Sequence, residues 1–110
     1  MSRRYDAFVQ QLTQSVLDTP GASASALRRA VLERGKRPGS AARDAIPPAL
    51  ATYIDTVARH AYKVTDADVA ALQPGHSDDA LFELTLAATV GAALHRLERG
   101  MAALRGEEPD

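Results

Sequence analysis

Between Leu81 and Leu94 the chain reads LFELTLAATVGAAL, and Glu83 is the only charge in that run. A helix on the surface of a globular domain keeps a polar face toward water, whereas one that is apolar nearly all round has to be covered on several sides. Amphipathic character returns only at His95-Arg96-Leu97-Glu98-Arg99. The segment starts on Ser77-Asp78-Asp79, a capping serine followed by acids that suit the positive end of a helix dipole. The spacing predicts one long buried helix from about Asp78 to Leu104, either at the centre of the domain or in a subunit interface. A chain of 110 residues has little material with which to cover such a helix. We therefore expect a homo-oligomer joined through the 81–97 helix.

The remaining residues agree with a helical domain. Aromatics are only 5% of the chain, so the core must be built from Leu, Val, Ile and much Ala, the residue with the highest helix propensity. The first helix is predicted from about Arg4 to Leu17, where Tyr5, Phe8, Val9, Leu12 and Val16 recur at three- and four-residue spacing. Thr19-Pro20-Gly21 ends it. A second helix, capped by Ser23 or Ser25, reaches Arg34, and Gly35 stands where a left-handed residue closes a helix. Lys36–Ile46, with Pro38-Gly39-Ser40, reads as an exposed loop. Pro47 and Pro48 then open a helix with the stripe Leu50, Ile54, Val57, Ala58 and Ala61. Thr65-Asp66-Ala67-Asp68 is a further helix start, closed by Pro74-Gly75. The expectation is a single all-α domain over 1–110, a bundle of five to six helices, with a frayed tail at 106–110.

Several function classes are excluded or disfavoured. With no cysteine there is no disulfide, no thiolate metal site and no cysteine nucleophile. His60, His76 and His95 lack metal-ligand spacing, so no metal is expected. No Gly-rich loop joins a strand to a helix, and no cofactor is expected. No apolar run approaches the ~20 residues of a membrane span, and Arg3-Arg4 is not followed by the apolar stretch of a leader. The reading is a cytoplasmic protein with no membrane partner. Charge is uneven: eight basic residues through Arg43 face three acids, an excess of +5 that leaves −6 for the remainder of a chain of net charge −1. The basic 28–43 segment could serve a regulatory or nucleic-acid-binding module. No aromatics interleave its arginines as base stacking requires, so a solvated surface is preferred and nucleic acid is not the expected partner.

A family resemblance lies in the second half. Val64-Thr65-Asp66-Ala67-Asp68-Val69-Ala70-Ala71-Leu72, a short gap, and Ser77-Asp78-Asp79-Ala80-Leu81-Phe82-Glu83-Leu84 resemble the carboxymuconolactone decarboxylase and alkylhydroperoxidase D-like (AhpD-like) family, and the Ala-rich helix ending in Arg96-Leu97 is similar to its closing helix. The resemblance implies a helical fold that assembles into dimers, trimers or hexamers. Its peroxidase members work through Cys-x-x-Cys-x-x-x-His. Laid on this chain, that pattern falls on Tyr53, Thr56 and His60, with hydroxyls at both sulfur positions. A second register leaves His60 without a counterpart. In either register thiol peroxidase activity is excluded, whereas decarboxylase-type members do not require a thiol pair.

The candidate pocket residues are Tyr53, Thr56, His60 and Glu83. The first three stand at i, i+3 and i+7, on one helix face, with His60 a candidate acid/base and the hydroxyls candidate donors. The alternative is that they satisfy one another or face water beside Arg59 and Lys63. Glu83 shares a stripe with Ala87, Val90, Leu94 and Leu97, which would raise its pKa unless something pairs with it. The favoured expectation is a non-redox structural or small-molecule-binding homo-oligomer, a non-enzyme being preferred and the question left open. The alternatives are a cysteine-independent decarboxylase- or isomerase-like enzyme using His60 and Glu83, and the basic module above.

Overall fold

The long apolar helix is the axis of the molecule. In a computed structural model, which describes residues 3–39 and 45–106, helix α5 runs from Asp78 to Leu104. Its 27 residues span about 40 Å at 1.5 Å per residue, nearly the full 46 Å length of the fold. Around it stand α1 (Arg3–Asp18), α2 (Ser25–Lys36), α3 (Pro48–His60) and the short α4 (Asp66–Ala70), with single 3-10 turns at Ala61–Lys63 and Gln73–Gly75. No strand occurs among the described residues. The described residues form an all-α domain of five helices.

Local chemistry sets the helix starts. Pro47 and Pro48 occupy the cap and first position of α3, where a missing N–H costs nothing. Thr65 and Asp68 form a capping box: the Thr65 hydroxyl accepts from the Asp68 N–H at 3.2 Å and the Asp68 carboxylate accepts from the Thr65 N–H at 2.9 Å. The Ser77 hydroxyl accepts from the Ala80 N–H at 3.1 Å and opens α5.

The core is where α2 crosses α5, with α3 closing the third side. Val31, Leu32, Leu50, Ile54 and Leu84 are its largest fully buried side chains. The crossing is close because glycine stands on both helices. A Cβ on Gly91 would run into the carbonyl oxygen of Leu32, and one on Gly35 into that of Ala88. Gly35 is therefore not a left-handed cap residue as expected. It is helical and buried, and α2 continues past it to Lys36.

Other expectations are also corrected. Neither Ser23 nor Ser25 caps α2, whose cap position is Ala24 with no side-chain bond; Ser25 instead donates to the Leu17 carbonyl at 2.5 Å. Phe8 lies off the buried stripe of α1 and is 55% exposed. Ala61 falls in the 3-10 turn and is exposed. Of the expected exposed loop Lys36–Ile46, Arg37, Gly39 and Ala45 are exposed as expected, whereas Lys36 is the last residue of α2 and Ile46 is buried; residues 40–44 lie outside the described part. So does the expected tail beyond Gly106, which itself forms a left-handed turn at φ 78°. Finally, α5 is not buried all round: Phe82 is 69% and Leu86 44% exposed, one turn apart. Contrary to the sequence reading, α5 contains an 18-residue window apolar enough for a membrane span by length and composition. Half of that window is buried inside the fold.

Candidate functional site

The ends of α2 and α3 arrive together against the middle of α5. A fork pairing holds them: Arg34 Nε and Nη2 donate to the two carboxylate oxygens of Asp55 at 2.8 and 2.9 Å, both side chains largely shielded from water. Burial pushes the Asp55 carboxyl up, but the Arg34 hydrogen bond, the Gly39 N–H and the charges of Arg34 and Arg59 outweigh it and hold the group below its usual range. Gly39 has φ 74°, a left-handed conformation that L side chains rarely adopt, and this turn lets its N–H reach Asp55. Arg59 Nη2 donates to the Pro38 carbonyl at 2.7 Å, and Arg96 Nη2 to the Ala58 carbonyl at 3.1 Å. Arg96 thus supplies a partner for a carbonyl in the last turn of α3, where the helix itself leaves several unpaired.

Between these elements lies an open cleft of about 430 Å³. Its floor is small and apolar: Gly35, Ala58 and Ala92. Its rim is basic: Lys36, Arg37, Arg59, His60, His95 and Arg96, with no carboxylate among the described lining residues. A concave space of a few hundred Å³ is the size of a small-molecule site. Guanidinium and ammonium groups on its edge can donate several charge-assisted hydrogen bonds.

The four residues singled out from the sequence do not share one site. His60 is exposed, lines the cleft and sits edge-on to Tyr62, ring centroids 5.8 Å apart. Thr56 donates to the Thr52 carbonyl of the preceding turn at 3.0 Å; it lines an open groove of about 320 Å³ with His60, beside Asp55 and Arg59, and a second of about 200 Å³ with Tyr53, against Ala67 and Leu72. Tyr53 is buried, its hydroxyl 2.7 Å from that of Thr85. Glu83 sits far along α5 from the cleft: twelve residues separate it from His95, a rise of about 18 Å. Its carboxylate accepts from the Ala22 N–H at 2.7 Å, the Ser23 N–H at 2.8 Å and the Ser23 hydroxyl at 2.5 Å. The Ser23 hydroxyl first, then these backbone donors and the charge of Arg28, hold its pKa below the usual value, against a smaller opposing effect of burial. Glu83 ties the α1–α2 connection to α5.

The basic segment divides in the same way. Arg28 is 5% exposed, and its Nη1 donates to the carbonyls of Val16 and Thr19 at 3.0 and 2.7 Å, closing the end of α1. Arg34 is engaged by Asp55, and of the segment's described basic side chains only Lys36 and Arg37 reach the cleft; Arg43 lies outside the described residues. His76 precedes the α5 cap and lines no cleft described above. Among the described residues no group of three or more His, Asp or Glu side chains is placed to hold a metal ion. The cleft itself escaped the sequence because its parts stand at 35–38, 58–60 and 92–96. The signal that could have found it is the pair of basic doublets Arg59-His60 and His95-Arg96.

Comparison with protein-family models, with curated proteins and with solved structures finds no match to this chain.

Proposed function

We infer that the protein is a non-redox, small-molecule-binding helical domain that acts as a homo-oligomer. The observation that carries the binding role is the cleft of about 430 Å³ at the joined ends of α2 and α3, with an apolar floor and a rim of hydrogen-bond donors. With no cysteine in the chain, the site has no thiol with which to act on a peroxide. With Glu83 bonded to Ala22 and Ser23, the His60–Glu83 pairing that a thiol-independent enzyme would use has no common pocket. Self-association is supported by Phe82 and Leu86, two large apolar side chains standing in water one turn apart on α5. Kinship with the alkylhydroperoxidase D-like family is the accompanying proposal. Its support is that the helix starts at Thr65 and Ser77, within the segments that resemble the family, form as caps.

Thermal unfolding against a panel of neutral, cationic and anionic metabolites tests the binding role. A ligand of the folded state raises the midpoint, by about 2.7 kcal/mol of stability at a hundred times its dissociation constant. We expect at least one panel member to stabilise the wild type and to stabilise Arg37→Gln less. A panel that leaves the midpoint unmoved throughout overturns the reading.

A further inference from the structure

We propose that the cleft is an anion site whose ligand is a small molecule carrying a phosphoryl group. This rests on the reading of the cleft as a ligand site and specifies what fills it. The rim carries four permanent cations, Lys36, Arg37, Arg59 and Arg96, and two histidines, His60 and His95. A purely structural account is available for part of this set, because cations are favoured at helix C-termini and the ends of α2 and α3 meet here. Its magnitude is insufficient. Each helix end contributes a partial charge of about −0.5, so two ends offset about one of the four cations. Glu33, 3.8 Å from Lys36, offsets one more, and Asp55 is matched by Arg34. Among the described residues an excess of about +2 remains, the histidines not counted. Moreover, His95 and Arg96 stand in the interior of α5 and not at a helix end.

The excess is also pre-arranged. Arg59 and Arg96 are each fixed by one bond to a backbone carbonyl, which leaves further N–H donors on both guanidiniums. Guanidinium forks match the oxygens of phosphate, and a doubly charged group matches the residual charge. The floor of Gly35, Ala58 and Ala92 offers a small apolar surface for the remainder of an ester. Concavity and the lack of any Phe, Tyr or Trp in the lining favour a small ligand over single-stranded nucleic acid, which needs stacking platforms.

The test is amide chemical-shift titration of the full-length, ¹⁵N-labelled protein in chloride buffer at constant ionic strength. The probes are inorganic phosphate, glycerol 3-phosphate and pyrophosphate, with a set of neutral fragments as the second arm. We expect saturable shifts confined to 35–37, 58–60 and 92–96, with a dissociation constant of about 1 mM or tighter for the best phosphoryl compound. Arg37→Gln, at an exposed position, should weaken it about fivefold while leaving the rest of the spectrum in place. Glycerol 3-phosphate binding tighter than inorganic phosphate assigns an organic phosphate, and the reverse order assigns the free ion. Cleft amides that move with a neutral fragment but with no phosphoryl probe overturn the anion assignment and keep the ligand site. Amides that move with neither overturn both. Shifts that never saturate, or that spread over the whole basic surface, also overturn the proposal. So does a short single-stranded RNA that displaces every phosphoryl probe.

Discussion

Glu83 shows how one side chain can look functional in sequence and be structural in place. Its stripe on α5 pointed it at apolar neighbours, a setting that raises a carboxyl pKa unless a partner is present. The partners are the Ser23 hydroxyl and the N–H groups of Ala22 and Ser23, sixty or so residues earlier, and they lower the pKa instead. Periodicity within one helix carries no information about a loop that folds back onto it. A group whose pKa is lower folded than unfolded contributes stability above the unfolded value and loses it as the pH falls through the folded one. Wild type is therefore expected to be more stable than Glu83→Gln at pH 7. The gap should begin to shrink near the ordinary value of 4.5 and close as the pH falls below the depressed folded value. Urea unfolding of both proteins across pH 7 to 3 checks this. A gap undiminished at pH 3 would mean that the charge of Glu83 is not its source.

The elements were most legible where local chemistry alone decides them. Ser77 and the Thr65–Asp68 box mark helix starts by bonds made within four residues, Pro47-Pro48 by a fixed φ and a missing N–H, and α5 runs over the span its pattern predicts. Gly35 was misread because one residue type serves two purposes: it closes helices, and it lets helices touch. Only the approach of α5 distinguishes them, and that approach is not local. The α2–α5 crossing has a paired consequence on a single helix. Gly91→Ala gains up to about 1 kcal/mol of helix propensity but drives a methyl into the backbone of Leu32 and Lys36, which cannot yield as a side chain would. Overpacking of this kind costs about 1–3 kcal/mol, and against rigid backbone the upper end applies, for an expected net loss of about 1–2 kcal/mol. Gly100→Ala, with nothing within 4 Å of the new methyl, should instead gain about 0.5–1 kcal/mol. Denaturant midpoints of the two variants should move in opposite directions. Movement in the same direction would contradict the close crossing.

At the scale of the whole molecule, an all-α domain and the absence of thiol chemistry could be read from the sequence, whereas the site could not. The cleft lies where the ends of α2 and α3, packed on each other and tied by the Arg34–Asp55 pair, stand beside the middle of α5, joining segments up to about sixty residues apart in the chain. The apolar length of α5, which suggested burial on all sides, resolves into a face packed on α2 and α3 and a face bearing Phe82 and Leu86. The central claim is that these two features, cleft and exposed face, make a ligand-binding homo-oligomer. Native mass spectrometry of freshly purified protein, beside the same sample denatured and beside Phe82→Glu, tests it most directly. The expected result is a closed oligomer of the wild type carrying a small extra mass that disappears on denaturation, with Phe82→Glu shifted toward monomer. A wild type that is monomeric and bare would contradict the claim.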